Sequence, residues 1–225
     1  MSSVRLRLPA QRGELRDRHE DGHHLHHLVW RLGPGVRVCS SAVLGGGIGP
    51  RAWILNAQVP GGYPRLDPDR HLAEIAVAEG LTGPGAGLLT AADVAAYTTG
   101  HDGGVTATVT AGLGVRGWAA APEDAEASPF RPGTVNIVVT LPVALSDAAL
   151  VNAVATATEA KVQALLDAGL DCSGTPTDAV CVAAPEPGPD GGEPFAGPRS
   201  PWGARIARAV HTAVLAGARP ARDLS

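Results

Sequence analysis

The sequence predicts an α+β protein: a single domain in which a mixed or largely antiparallel sheet is covered by about three helices. Three observations lead there. Strand-like segments follow one another across short loops, without the strict strand–helix alternation of a doubly wound sheet. Three longer segments carry helix start and stop signals. Finally, 29 glycines and 19 prolines divide a chain of 225 residues, 44% of them hydrophobic, into many short elements around one sizeable core. Aromatic residues make up only 4%, so that core must be built from Val, Leu, Ile and Ala.

In chain order, residues 1–27 are rich in Arg, Asp, Glu and His, lack apolar periodicity, and are expected to be a mobile extension ahead of a domain over 28–225. Val36 to Val43 has strand character and runs into Gly45-Gly46-Gly47-Ile48-Gly49-Pro50. Arg51 to Val59 is a second strand, expected to pair with the first across that loop. Asp67-Pro68-Asp69 opens a helix that ends at Gly80, with Asp as cap and Pro in the first turn. Strands are expected at Gly85–Thr90 and Gly104–Ala111, with a short helix or turn over Ala91–Tyr97 between them. Pro122–Pro132 is a Pro- and acid-rich loop. Gly133–Thr140 is the clearest strand. Ser146-Asp147 caps a long helix to Ala168, a last strand covers Asp178–Ala184, and a final helix covers Pro201–Ala216.

Several function classes are excluded by what the chain is made of. A net charge of −4 provides no field for nucleic acid or an anionic lipid surface. No stretch has the length of a membrane span, and the first residues lack an apolar signal core, which together with free thiols points to the cytoplasm. Cys39, Cys172 and Cys181 lack the close pairing of a zinc site, and the first and last lie in apolar runs. Five of the eight histidines (His19, His23, His24, His26 and His27) crowd one short tract. Such a tract can bind a transition metal, but a mobile segment without fixed acidic partners makes a poor catalytic cage, so no metal and no cofactor are assigned. There is no G-x-S-x-G elbow, no H-E-x-x-H and no phosphate loop. His71 and His101 stand isolated.

The chain holds seventeen arginines and one lysine, Lys161. Where only positive charge is needed arginine has been used, so the retained lysine marks a place that needs a compact ammonium. On an ideal helix at about 100° per residue, Val151, Val154, Thr158, Val162 and Leu165 share one face, with Lys161 about 60° from its centre. A lysine there snorkels out or meets a partner in a polar pocket. Glu159 lies about 160° away around the same helix, as a flanking group that can cap or brace. Asp171 to Asp178 gathers hydroxyls, a carboxylate and a glycine turn, a combination suited to binding an anion or an amide oxygen, or simply to forming a hydrogen-bonded turn. Asn56 and Asn136 stand inside apolar strands, where a buried amide needs partners. Ser40 and Ser41 are strand neighbours and face opposite sides.

Read together, these segments resemble the adenosylcobinamide amidohydrolase family. The likeness is carried by Ser40-Ser41-Ala42 with Gly45-Gly46-Gly47, by Asn56-Ala57-Gln58-Val59 with Tyr63, and by Gly87-Leu88-Leu89-Thr90-Ala91-Ala92. It continues through Thr108-Val109-Thr110-Ala111-Gly112-Leu113, Gly133-Thr134-Val135-Asn136-Ile137, Thr158-Glu159-Ala160-Lys161 and Gly174-Thr175-Pro176-Thr177-Asp178-Ala179, in family order from about Leu28 to Ala216. Gly112 to Trp118 departs from the commoner family segment. The resemblance implies hydrolysis of the amide that holds the aminopropanol arm of adenosylcobinamide, giving adenosylcobyric acid for cobalamin salvage. The corrinoid is then substrate rather than cofactor, and a homo-oligomer is compatible with it. Lys161, Asp178, Ser41, Thr175 and Glu159 are the expected catalytic set; Asn56, Asn136, Thr134, Thr177 and Ser40 are the expected substrate-binding set. The rival readings are a corrinoid-binding protein without catalysis and an amidohydrolase for another amide.

Overall fold

A computed structural model describes residues 12–122 and 133–219. The Pro- and acid-rich loop expected over 122–132 lies almost wholly outside the described residues, as do residues 1–11. The elements are β1 (Glu14–Glu20), β2 (His23–Arg31), β3 (Val36–Ser40), β4 (Gly47–Pro50), β5 (Trp53–Gln58), α1 (Pro68–Ala78) and β6 (Gly85–Thr90). A 3-10 turn (Val94–Ala96), β7 (Thr98–Asp102), β8 (Val105–Ala111), β9 (Val135–Thr140), α2 (Asp147–Asp167), β10 (Ala179–Pro185) and α3 (Pro201–Ala218) complete the elements of the described residues. The class is α+β with three helices, as expected, but the strands form two mixed sheets. One runs β1-β2-β5-β6 and the other β4-β3-β10-β9-β8-β7. Among the described strands, only β5–β6 and β9–β10 pair in parallel.

The period of two along each strand sets the layers. On β5, Trp53, Leu55 and Ala57 meet Leu72 and Ile75 of α1, while Ile54 turns to the other sheet and packs with Val138 and Cys181. On β9, Val135, Ile137 and Val139 face α2 and α3, and Val138 faces β5. The order of layers is therefore α1, first sheet, second sheet, then α2 with α3. The strand pair β9–β10 is joined by α2 as its crossover, as parallel pairing requires.

Four expectations are corrected. The fold begins well before residue 28: β1 and β2 form an antiparallel hairpin with Glu14 opposite Val29 and Glu20 opposite His23. Polar residues fill this hairpin because β1 is an edge strand, and its charges protect the exposed edge. The strand after the triple-glycine loop does not pair with the one before it. Instead β3 takes the short β4 as neighbour, and the chain crosses at Arg51 and Ala52 into the first sheet. Gly45 permits the crossing: at φ 64° a Cβ would lie 1.9 Å from the Gly85 carbonyl oxygen. Backbone bonds between Leu44 and Gly87 tie this loop to β6. Asp67 does not cap α1 with its side chain; its carboxylate is held by the Arg65 guanidinium at 2.9 and 2.8 Å.

The last correction concerns α2. Val151 and Thr158 are exposed, and the buried face is made of Ala149, Leu150, Ala153, Thr156, Ala157, Ala160, Lys161, Ala164 and Leu165. Alanine lets the helix lie close to α3 and the sheet, so the inner stripe is less hydrophobic by composition than its flank. Lys161 belongs to that inner face, about 60° from its centre on the side toward the valine stripe. An edge strand, β7, also goes beyond the expected elements; its Thr-Thr-Gly-His-Asp sequence lacks any apolar alternation.

Candidate functional site

The site lies at the starts of the parallel strands β9 and β10, beside the ends of β5, β6 and β8. Lys161 projects from the inner face of α2 with its side chain 8% exposed, and its ammonium donates to Asp178 Oδ2. Asp178 stands one residue before β10 and is 11% exposed. Its Oδ1 accepts from Val135 N at 2.8 Å and from Thr175 Oγ1 at 2.5 Å, and its Oδ2 also accepts from Thr175 N at 3.1 Å. Four donors thus hold a carboxylate that would otherwise be costly to bury. The pair is closed over by Gly174 at φ 149°, where a Cβ would lie 2.1 Å from Asp178 Oδ2 and 2.5 Å from Lys161 Nζ. Only glycine lets the backbone lie against the ion pair in this way.

Thr134 is buried, and its hydroxyl is 2.6 Å from that of Thr177, which donates in turn to Gly133 O. On the opposite side of β9 sits an amide cluster between the sheets. Asn136 Nδ2 donates to Asn56 Oδ1 and to Leu89 O, both at 2.9 Å, and Asn56 Nδ2 donates to Thr110 Oγ1 at 3.0 Å. All three side chains are at most 2% exposed. Both N–H groups of Asn136 are used, so it braces Asn56 and β6 and has no donor left for an external carbonyl. Val135 N on Asp178 and the Asn136 side chain are one residue apart, which couples the ion pair to the amide cluster through β9.

The structure therefore brings Lys161, Asp178, Thr175, Thr177, Thr134, Asn136 and Asn56 together. It does not bring Glu159, which is exposed on the outer face of α2. Ser40 is buried, donating to Val180 O and accepting from Ala42 N. Ser41 is exposed and accepts from Val180 N at 3.1 Å. It lies on the far side of β10 from Asn136, two strand spacings or about 10 Å away. Thr110 and Gly174 complete the arrangement beyond the expected residues. A hydroxyl at every second position of β8 (Thr106, Thr108, Thr110) was the available signal for the first.

The cysteines are poor nucleophiles here. Burial pushes Cys181 up to about 12 and raises Cys39 and Cys172 as well. His71 and His101 are not isolated. His71 is buried, accepts or donates to the Tyr63 hydroxyl through Nδ1 at 2.9 Å, and holds Nε2 2.5 Å from Glu20 Oε1. His101 Nδ1 is 3.0 Å from Thr106 Oγ1. Among the described residues no group of three His, Cys, Asp or Glu side chains converges as a metal cage, and no helix is long and apolar enough to cross a membrane.

Residues 12–225 match the family model described as adenosylcobinamide amidohydrolase. A protein of that name from Methanosarcina mazei is 35% identical over 186 residues, covering 79% of this chain and 88% of its own length. Another of the same name from Halobacterium salinarum is 46% identical over 93 residues, covering 41% of this chain and 38% of its own.

Proposed function

Because the chain belongs to the adenosylcobinamide amidohydrolase family, we propose that it hydrolyses adenosylcobinamide at the amide of its aminopropanol arm, releasing adenosylcobyric acid in a cytoplasmic salvage route. That it is an amidohydrolase follows from the family. The carrying observation for the site is the chain of contacts Thr175 hydroxyl, Asp178 carboxylate, Lys161 ammonium, clasped by Gly174.

Amide hydrolysis needs a nucleophile, a place for negative charge on the carbonyl oxygen, and a proton for the departing nitrogen. Thr175 Oγ1 attacks the carbonyl carbon while its proton passes along the existing hydrogen bond to Asp178. Lys161 keeps that carboxylate in place and sets a positive charge beside the developing oxyanion. When the C–N bond breaks, the proton on Asp178 goes to the aminopropanol nitrogen, leaving the corrinoid acyl group on Thr175. Water then hydrolyses that ester to the free acid. The Asn56–Asn136 cluster fixes β5, β6 and β9 relative to one another, so that the start of β9 keeps its grip on Asp178.

The test is incubation of chelator-treated protein with adenosylcobinamide, followed by mass spectrometry. Adenosylcobyric acid and free aminopropanol are expected. Retention of intact corrinoid without product, including after metal is restored, would replace hydrolysis by binding alone. Thr175→Ala separates the nucleophiles: undiminished turnover would move the attack to Ser41 or to water.

A further inference from the structure

The histidine tract, which the site above does not use, is held on a rigid strand face. His19 is opposite His24 and Asp17 is opposite His26, and these four side chains share one face of the β1–β2 hairpin. The rings of His19 and His24 stack at 4.8 Å, and those of His24 and His26 meet edge to face at 4.9 Å. Asp17 Oδ2 is 3.3 Å from His24 Nε2, and this hydrogen bond keeps the Asp17 carboxylate below its usual range. Among the described residues no hydrogen bond reaches a ring nitrogen of His26 or His19, and His26 is half-buried where its backbone N–H meets Gln58 Oε1 at 3.3 Å.

The direction of this face matters. Leu28 is paired with Asn56, and both turn to the second sheet. His26 lies two residues along from Leu28 on the same face, level with Gln58, which places its Cα about 8 Å from that of Asn56 by strand geometry. His24 is a further step out, at about 14 Å. The imidazoles thus continue the face of the amide cluster toward solvent.

We infer that this imidazole face, with His26 as donor, supplies an axial ligand to the cobalt of the bound corrinoid. The inference rests on the proposed substrate. Cobinamide has no tethered nucleotide base, so its lower axial position carries an exchangeable water. A neutral imidazole nitrogen donates its lone pair to cobalt and the water leaves; no electron is transferred and the cobalt–carbon bond on the other side is untouched. The arm whose amide is cut hangs from the same lower side of the macrocycle. A ligand on that side holds the ring while the arm enters the site beyond Asn56. Asp17 and His24 stiffen the face, as carboxylate–imidazole pairs do beside ligating histidines.

The experiment uses the full chain with cob(II)inamide as probe, read by electron paramagnetic resonance, alongside a cleavage assay with adenosylcobinamide. Ligation by one nitrogen splits each cobalt line into a triplet, which becomes a doublet in protein carrying nitrogen-15 histidine. The splitting is expected in the natural sequence and absent in His26→Gln, whose KM for adenosylcobinamide should rise about tenfold with kcat little changed. Loss of the splitting in His19→Gln or His24→Gln instead would retain the face and overturn His26 as the donor. Cleavage without any splitting, or a splitting that survives replacement of all three, overturns the inference and leaves the proposed reaction standing. Neither cleavage nor retention of the corrinoid overturns both.

Discussion

Gly174→Ala tests the site at its tightest point. The new Cβ would stand 2.1 Å from Asp178 Oδ2 and 2.5 Å from Lys161 Nζ, and the backbone there is at φ 149°. To reach ordinary contact the carboxylate must withdraw by about 1 Å, a displacement of the size that costs about 10²-fold in rate. That is about 2.7 kcal/mol of transition-state stabilisation. The glycine-only backbone region adds about 1–3 kcal/mol of strain to the folded state, which for a chain of this size lowers Tm by several degrees, about 2–4 °C for each kcal/mol. The matched control is Gly117→Ala. Gly117 bonds to Gly174 through its backbone, yet an added Cβ there meets nothing within 4 Å. Turnover of adenosylcobinamide by mass spectrometry and thermal unfolding by circular dichroism, run on both variants, read the two effects. Natural turnover in Gly174→Ala, or equal losses in both variants, would refute the claim that the ion pair needs bare backbone above it.

Three further outcomes are expected. Lys161→Arg keeps the charge but not the compact ammonium, and turnover should fall by at least about 10²-fold with the far-ultraviolet spectrum preserved; an active variant removes Lys161 from the chemistry. Burial holds the His27 imidazole below its usual 6.5, partly opposed by Glu79, so the folded protein resists a proton that the unfolded chain accepts. Stability should therefore fall as pH drops below about 6.5, and His27→Gln should flatten urea-unfolding free energy between about pH 7 and pH 5; an unchanged slope assigns the loss elsewhere. With Cys39, Cys172 and Cys181 all raised by burial, none should be alkylated in the folded protein at about pH 8, and all three should react once it is unfolded. A single fast-reacting native thiol would contradict that.

Much of the fold was legible because most elements carry local punctuation. Ser146 caps α2 as the sequence indicates, and the apolar run Ile137-Val138-Val139 in β9 marks a strand covered on both faces. What escaped were features decided by partners far away in sequence. The hairpin of β1 and β2 has no apolar period because half its face is exposed at a sheet edge. The break between β3 and β5 depends on Gly45 meeting Gly85, forty residues on. The inner stripe of α2 was misplaced because close packing selects alanine, which a reading weighted by hydrophobicity passes over. Of the candidate site, the lysine bias singled out Lys161 and the hydroxyl-rich turn singled out Asp178 and Thr175, but the contact between Lys161 and Asp178 is tertiary and has no local signal. Glu159 entered the catalytic set with the family segment it shares with Lys161, and it lies exposed where the helix period already placed it. Ser41 shares a motif with Ser40 and is separated from the amide cluster by the width of β10.

One feature of the topology bears on how such an enzyme changes. Asn136, Lys161 and Asp178 all belong to a single strand–helix–strand crossover, whereas the loops at Gly112–Trp118 and the β1–β2 hairpin are contributed by distant parts of the chain. The proposed proton-handling pair and the amide that braces its strand thus form one contiguous cassette, and the loop and the hairpin are separate, replaceable attachments. Under the proposed function, exchanging those attachments while leaving the cassette intact is the direct route to retargeting it toward a different amide.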